Sequence, residues 1–162
     1  MTLKGERTGK SESTGRDIEE KRKRLRTMIP ADLPEAPTGG VDHIAVYAKD
    51  LEKTARFYSE IMGMPVIGIT ANRDVEDSTH MNVAIGNGMA LSFFDFPHVA
   101  RLQRRAPEGV GNVMHVAMPI PRHQFQEVKG RLDANRVKYQ EVGGSLYVDD
   151  PNGLGIELML RG

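Results

Sequence analysis

The feature that most constrains the fold of this chain is an internal repeat. Residues 41–47 and 112–118 both have the pattern of a β-strand, and each stretch carries one histidine at a corresponding place. The two histidines, His43 and His115, are 72 residues apart (115 − 43). A helical pattern and three further strand-like stretches follow each of them. The sequence therefore predicts two consecutive βαβββ modules.

The two modules are predicted at residues 41–97 and 111–162, and turn residues set their internal boundaries. In the first module, Asp50 is expected to cap a helix that ends at Gly63. The predicted strands are residues 41–48, 65–70, 79–85, 89–96, 112–118, 138–142, 145–149 and 155–160, and the predicted helices are residues 51–62 and 121–135. We expect an α+β fold in which the modules form one eight-stranded, curved, open-barrel sheet with the helices on its convex side.

Strand alternation assigns side chains to the two faces of this sheet. Successive side chains of a strand point to opposite faces, so Ile44 goes to the helices and His43 to the concave side. The same parity places His115 and Glu157 on the concave side, and Met114 with the helices. Burying an unpaired carboxylate costs several kcal/mol, so Glu157 must face either water or a cation.

Two histidines and one carboxylate on one face suggest a metal site. A lone strand histidine is more often a structural residue than a ligand. The corresponding positions of His43 and His115, together with Glu157 on the same face, favour a 2-His-1-carboxylate site with open coordination positions.

Composition narrows the classes of function and of site. The 162 residues carry 22 basic and 22 acidic side chains and no cysteine. The absence of cysteine excludes disulfides, thiolate metal ligands and a cysteine nucleophile. Balanced charge gives no general argument for nucleic acid or a membrane surface, and no apolar run approaches the roughly 20 residues of a membrane span. No apolar secretion signal is expected near the start, and we expect a cytoplasmic protein.

Residues 1–38 differ from the rest of the chain. Glycine, serine, threonine and charged residues dominate up to Arg16, and residues 17–28 have the pattern of a possible short helix. Pro30, Pro34 and Pro37 then form an extended linker. We interpret residues 1–38 as a charged N-terminal arm and linker, and residues 39–162 as the folded domain. A solvated loop holding three arginines, Arg101, Arg104 and Arg105, is expected between the modules.

Four motifs of this domain resemble the vicinal oxygen chelate superfamily. They are V-D-H-I-A-V at 41–46, D-L-E-K-T-A-R-F-Y at 50–58, H-V-A at 115–117 and D-P-N-G-L-G-I-E-L at 150–158. That superfamily includes glyoxalase I, methylmalonyl-CoA epimerase, fosfomycin resistance enzymes, bleomycin-binding proteins and extradiol ring-cleaving dioxygenases. The resemblance covers residues 41–161.

The resemblance implies which side chains bind a divalent metal. First, fifth and eighth strands each supply one ligand, and these positions hold His43, His115 and Glu157. The fourth-strand position falls near Ser92, where glyoxalase I and the epimerases are expected to carry Glu or Gln, so this departure argues against both. Fosfomycin enzymes also use two histidines and one glutamate, but no matching lysine and potassium-loop sequence is present.

The remaining pattern, with two histidines, one glutamate and no ligand on the fourth strand, resembles the extradiol dioxygenases best. Tyr147 lies ten residues before Glu157 and matches a tyrosine that hydrogen-bonds the substrate in those enzymes, although amphipathic packing is an equally simple role. An acid–base histidine is also expected, with His80 and His98 as candidates. The expected substrate-binding residues are Tyr147, Ser92, Phe94, Phe96 and Met159. The implied ion is Fe(II), with Mn(II), Zn(II) and Ni(II) as alternatives.

Three functions follow from these observations. The first is an extradiol dioxygenase acting on a small molecule such as an aromatic diol. The second is glyoxalase, epimerase, lyase or thiol-transferase chemistry at the same metal site. The third is a non-catalytic binding protein of the bleomycin-resistance kind. The open edges of the concave sheet and the N-terminal arm suggest a homodimer.

Overall fold

The computed structural model describes residues 15–32, 34–99 and 109–161. Contacts divide the chain into two units, Met1–Gly40 and Val41–Gly162. The first unit contains helix α1 (Gly15–Arg26), where Arg26 donates a hydrogen bond to Glu19 at 2.7 Å. The expected arginine loop falls mostly outside the described residues. Of the helices in the described part of the chain, none has the length and apolarity to cross a membrane.

The second unit consists of two βαβββ modules. The first module comprises β1 (His43–Tyr47), α2 (Leu51–Arg56) continuing as a π-helix (Phe57–Met62), β2 (Val66–Ala71), β3 (Thr79–Gly86) and β4 (Met89–Phe94). The second comprises β5 (Val116–Pro121), α3 (Arg122–Ala134), β6 (Tyr139–Val142), β7 (Ser145–Asp149) and β8 (Gly155–Arg161). This order confirms the predicted α+β class and the repeat.

The strands form two four-stranded sheets, with the orders β1-β4-β3-β2 and β5-β8-β7-β6. In each sheet the first strand runs parallel to the last, and the other pairs are antiparallel. β1 and β5 each form one edge of their sheet. In the described part of the chain, the eight expected strands are thus divided equally between two sheets.

Local signals in the sequence set the bounds of helix α2. The Asp50 side chain accepts a hydrogen bond from the backbone N–H of Lys53 at 2.9 Å, as an N-cap does. Gly63 ends the helical segment with φ at 74°, a left-handed conformation that glycine adopts without steric cost. The change to π-helix at Phe57 was not predicted, and it accompanies the burial of Phe57, Tyr58 and Met62.

The core lies between the helices and the convex faces of the sheets. In β1, Ile44 and Val46 pack against the core while His43, Ala45 and Tyr47 are exposed, as parity predicts. The apolar stripe of α3 is buried and consists of Phe125, Val128 and Leu132. Burying a side chain of this size contributes roughly 1.5–3 kcal/mol, so these stripes hold each helix on its sheet.

Strand β5 begins later than the sequence predicts. It starts at Val116 instead of residue 112, so His115 lies immediately before the strand and not in its middle. Met114, which parity assigned to the helix side, is exposed because it precedes the strand. The strand also contains Pro119 and Pro121, which lack the N–H that a central strand needs. β5 accommodates them because it is an edge strand.

The turn before β8 connects the two modules. Asp150 is buried, and its Oδ2 accepts a hydrogen bond from the hydroxyl of Tyr58 at 3.1 Å. Asn152 donates from its amide to Thr54 at 3.1 Å and accepts from the backbone N–H of Lys49 at 2.9 Å. Burial raises the pKa of Asp150. Hydrogen bonds from Tyr58 and the turn itself therefore have to stabilise the carboxylate.

A second contact between modules joins the helices. Arg131 of α3 donates from Nε to the backbone carbonyl of Ile61 at 2.7 Å. That carbonyl lies in the last turn of the π-helix, where helical carbonyls lack partners of their own. Both connections thus lie on the helix side of the sheets, away from the concave faces.

Replacing Tyr58 with phenylalanine should destabilise the domain by about 1–2 kcal/mol, because it leaves the buried Asp150 carboxylate short of one donor. Urea denaturation at neutral pH measures this loss. Tyr139→Phe is the matched control, since Tyr139 donates to the exposed Asp133 at 2.9 Å and its loss should cost less. Equal losses for the two variants would contradict the anchoring role of Tyr58.

Candidate metal centre

The carboxylate of Glu157 lies in the middle of β8 and is almost fully buried, with a relative exposure of 8%. Its Oε2 is 2.8 Å from Nε2 of His115, and its Oε1 accepts a hydrogen bond from the Tyr147 hydroxyl at 2.7 Å. Two of the three predicted metal ligands therefore meet, and the predicted tyrosine contacts the same carboxylate.

Strand register explains this meeting. Tyr147 of β7 lies directly opposite Glu157 in the antiparallel pair, and Ala117 of β5 lies beside Glu157 in the parallel pair. His115 lies just before β5, and its Nε2 reaches the Glu157 carboxylate on the same side of the sheet. A shift of one residue in either pairing would turn one of these side chains to the opposite face.

The surroundings of Glu157 favour its ionised form. Hydrogen bonds from Tyr147 and Ser145, together with the positive charge available on His115, lower the pKa of the Glu157 carboxyl. The same contact with the carboxylate raises the pKa of the Tyr147 phenol. Metal ligands must be deprotonated, so an ionised Glu157 beside an imidazole is a suitable ligand pair.

His43 lies apart from this pair. Its side chain is 52% exposed, and Nδ1 is 2.6 Å from Oδ1 of the neighbouring Asp42. In metal sites, a carboxylate contact of this kind orients the imidazole that binds the ion. Across residues 15–32, 34–99 and 109–161, no three His, Cys, Asp or Glu side chains are grouped closely enough to hold a metal ion. The expected convergence of all three ligands is thus not present within these residues of one chain.

The proposed acid–base and ring-binding residues lie together in the first module. The His80 ring stacks on Phe94 with centroids 4.4 Å apart, Phe94 stacks on Phe96 at 5.6 Å, and Phe96 contacts His98 at 5.4 Å. Tyr47 adds an edge-on contact to Phe96 at 5.6 Å. We call these five side chains the aromatic row. Sequence reasoning placed Tyr47 on the concave face but did not connect it with the other four.

The remaining predicted substrate residues lie in different modules. Ser92 of β4 is buried, and its hydroxyl donates to Oδ1 of Asn82 at 2.7 Å. Met159 of β8 pairs with Ser145 and shares the face of Glu157. A cavity of about 750 Å³ opens beside His115 and Tyr147. Its size lies in the usual range for small-molecule sites.

The donor set of the second module fits a divalent ion. An imidazole nitrogen and a carboxylate oxygen 2.8 Å apart are donors that Fe(II), Mn(II), Zn(II) and Ni(II) all accept. His115 and Glu157 could hold such an ion together.

Comparisons with known proteins agree with this architecture. The chain is 25% identical over 129 residues to a putative ring-cleaving dioxygenase, MhqE, of Bacillus subtilis, an alignment that covers 75% of this chain and 41% of that protein. The chain thus spans less than half the length of this relative. It is 26% identical over 125 residues to the uncharacterized protein YaeR of Escherichia coli, covering 73% of this chain and 93% of that one.

The fold matches solved structures as well. The fosfomycin resistance protein FosX from Listeria monocytogenes, in a crystal structure with Mn(II) and a sulfate ion, superimposes with a TM-score of 0.58 at 23% identity. The alignment covers 77% of this chain and 94% of FosX. The model of the glyoxalase family matches residues 40–158, which is most of the chain. This protein therefore belongs to the Glyoxalase/Bleomycin resistance protein/Dioxygenase superfamily.

Proposed function

We propose that this protein is a metal-dependent ring-cleaving dioxygenase of the extradiol type that acts on a small aromatic diol. The observation that carries the proposal is the buried Glu157 carboxylate, held between His115 and the Tyr147 hydroxyl. A buried, ionised carboxylate beside an imidazole is costly to keep without a cation. The likeness to a putative ring-cleaving dioxygenase over 75% of the chain supports the choice of reaction.

His115 and Glu157 are the proposed ligands of the ion, with His43 as the third. Fe(II) is our first choice, and Mn(II), Zn(II) and Ni(II) are the alternatives; the Mn(II) in the FosX structure supports a divalent ion in this fold. When bound, the metal supplies Lewis acidity that lowers the pKa of two neighbouring substrate hydroxyls, and open positions for the diol and O2.

Tyr147 is proposed as a positioning residue for Glu157. Its hydroxyl donates to Oε1, which leaves Oε2 directed at His115. Such outer hydrogen bonds fix the orientation of a ligating carboxylate. Tyr147 also lines the neighbouring cavity. Its hydroxyl is therefore proposed to orient a diol that binds there.

The aromatic row is proposed to bind the ring of the substrate. Phe94 and Phe96 offer stacking faces, and His80 or His98 is proposed to move a proton between substrate and solvent. On β4, Ser92 is buried and bonded to Asn82. A residue held in this way is a poor general base, which disfavours chemistry that needs a base at this strand.

Anaerobically purified protein should contain about one divalent ion per chain, and His115→Ala should weaken its binding at least about tenfold. Elemental analysis measures both. His123→Ala is the matched control, because His123 is an exposed residue of α3 and its loss should leave the metal content unchanged. Metal-free protein after reconstitution with Fe(II) would overturn the proposal.

The loaded enzyme should consume O2 when supplied with catechols. Both oxygen atoms enter the ring-opened product of such a reaction, so O2 uptake in an oxygen electrode should equal the catechol consumed. His115→Ala should abolish uptake, and His123→Ala should not change it. Metal-loaded protein that consumes no O2 across a catechol series would exclude the dioxygenase assignment.

In chelator-treated protein, Tyr147→Phe should raise the pKa of Glu157 toward its ordinary value. A lowered pKa in the folded state gives stability that is present above the unfolded-state pKa and lost as pH falls through the folded-state pKa. The stability difference between wild type and variant should therefore be largest near neutral pH and shrink as pH falls through the folded-state pKa of Glu157. Urea midpoints across this range measure it, with Tyr47→Phe as the control that keeps Glu157 unchanged. A difference independent of pH would contradict the role given to Tyr147.

A further inference from the structure

We propose that Ser78 and His80 form a polar recess beside the aromatic row, and that this recess binds an uncharged hydroxyl or carbonyl group of an aromatic ligand. The recess rests on the proposed function in one respect, because the aromatic row is taken as the surface that binds the substrate ring. It goes further in naming the substrate class: an aromatic diol that carries a third, uncharged hydrogen-bonding group.

Two buried polar atoms mark the recess. The Ser78 hydroxyl and Nε2 of His80 are closed to solvent, and neither has a hydrogen-bond partner in the described part of the chain. Ser78 as a whole is only 3% exposed. Buried polar atoms are paired in almost all native proteins, because an unpaired one carries its full desolvation cost. Two such atoms on residues so close in the chain indicate a place where a polar group from outside the chain binds.

The backbone holds both residues in place. The carbonyl of Ser78 accepts a hydrogen bond from the N–H of Asn72 at 2.8 Å, and its N–H donates to the carbonyl of Val75 at 3.0 Å. His80 belongs to β3, which pairs with a strand on each side. The positions of the two residues are therefore fixed without any help from their polar side-chain atoms. Groups that are fixed in advance bind a ligand at a lower entropic cost.

His80 also forms one end of the aromatic row. The planes of the His80 and Phe94 rings are 12° apart, and those of Phe94 and Phe96 are 5° apart. This stack is an apolar surface for a flat ring, and His80 adds a polar atom at its end. A ligand ring that packs against the stack and carries a hydrogen-bonding group can use both features at once.

The charges near the recess favour a neutral group. Oδ1 of Asp95 accepts a hydrogen bond at 2.6 Å from the N–H of Thr79, the residue between Ser78 and His80. A carboxylate at this place opposes a second negative charge, and burial makes any charged group costly. A hydroxyl can both donate and accept, and a carbonyl can accept from both side chains. Either group matches a serine and a neutral imidazole.

This role separates the two histidines of the row. Nε2 of His80 is closed to solvent, whereas His98 is exposed at the other end. A residue that passes protons to solvent has to be in contact with it. His80 is therefore assigned to binding and His98 to proton transfer.

Binding to the chelator-treated whole chain tests the recess without the metal. Phenol, acetophenone, toluene and benzoate share one ring and differ in the attached group. Phenol and acetophenone should bind about fivefold more tightly than toluene and benzoate, as expected for one net hydrogen bond. NMR titration measures the four affinities, and the two tighter ligands should shift the ring-nitrogen signals of His80. Equal affinities for the four compounds, or selectivity with no shift at His80, would overturn the recess.

Ser78→Ala should remove most of the preference for phenol over toluene, a loss of about fivefold. His80→Phe keeps a ring against Phe94 and should have the same effect, which guards against a folding defect in one variant. Ser59→Ala is the matched control, because the exposed Ser59 hydroxyl already donates to the carbonyl of Ala55 at 2.7 Å. A preference that survives both recess variants would contradict the assignment.

Urea denaturation of ligand-free Ser78→Ala distinguishes a ligand site from an internal water. Removing an unpaired buried hydroxyl is nearly neutral for stability, so the variant should unfold at the same urea concentration as wild type. A hydroxyl that holds a structural water is costly to remove. A clear loss of stability with an unchanged preference for phenol would mean that the two atoms hold a water only, and would overturn the proposal.

The recess and the dioxygenase reaction can fail separately. Selective binding of phenol by a protein that consumes no O2 with catechols after loading with Fe(II) would overturn the reaction and support the recess. O2 uptake with catechols by a protein whose metal-free form does not distinguish phenol from toluene would overturn the recess alone.

Discussion

The arrangement of the second module depends on one buried carboxylate with both oxygens occupied. Glu157 is held by Tyr147 on one side and His115 on the other, in a strand whose other residues are almost all apolar. An unpaired charge at this depth would cost several kcal/mol. The registers of β5, β7 and β8 are consequently fixed by an electrostatic requirement as well as by packing, and the same requirement makes this face of the sheet suitable for a cation.

The helix side and the concave side of the domain carry different groups of residues. Contacts between the modules run through Tyr58 and Arg131 of the helices and through Asp150 of the turn before β8. The concave faces carry the histidines, the carboxylate and the aromatic row. The contacts that stabilise the domain and the residues of the proposed site therefore lie on opposite sides, so a change in the site residues need not disturb the core.

Much of this organisation was predictable because it follows from local rules. Alternation placed His43 and Glu157 on their faces, and Asp50 and Gly63 set the bounds of a helix. These signals depend on residues close together in the chain.

What the sequence did not predict depends on relations between distant segments. Alternation tells which face a side chain takes but not which sheet edges meet, so the division of eight strands into two sheets was not predicted. The late start of β5 and the exposure of Met114 have the same origin. A strand begins where its neighbour begins to pair with it, and here Val116 pairs with Ile156, near the start of β8.

The prolines of β5 have a consequence for solubility. An edge strand with free N–H and C=O groups can recruit strands from other molecules and grow into open-ended fibrils. Pro119 and Pro121 remove two of the donors such growth needs. The edge strand that follows His115 is thereby protected against indiscriminate aggregation.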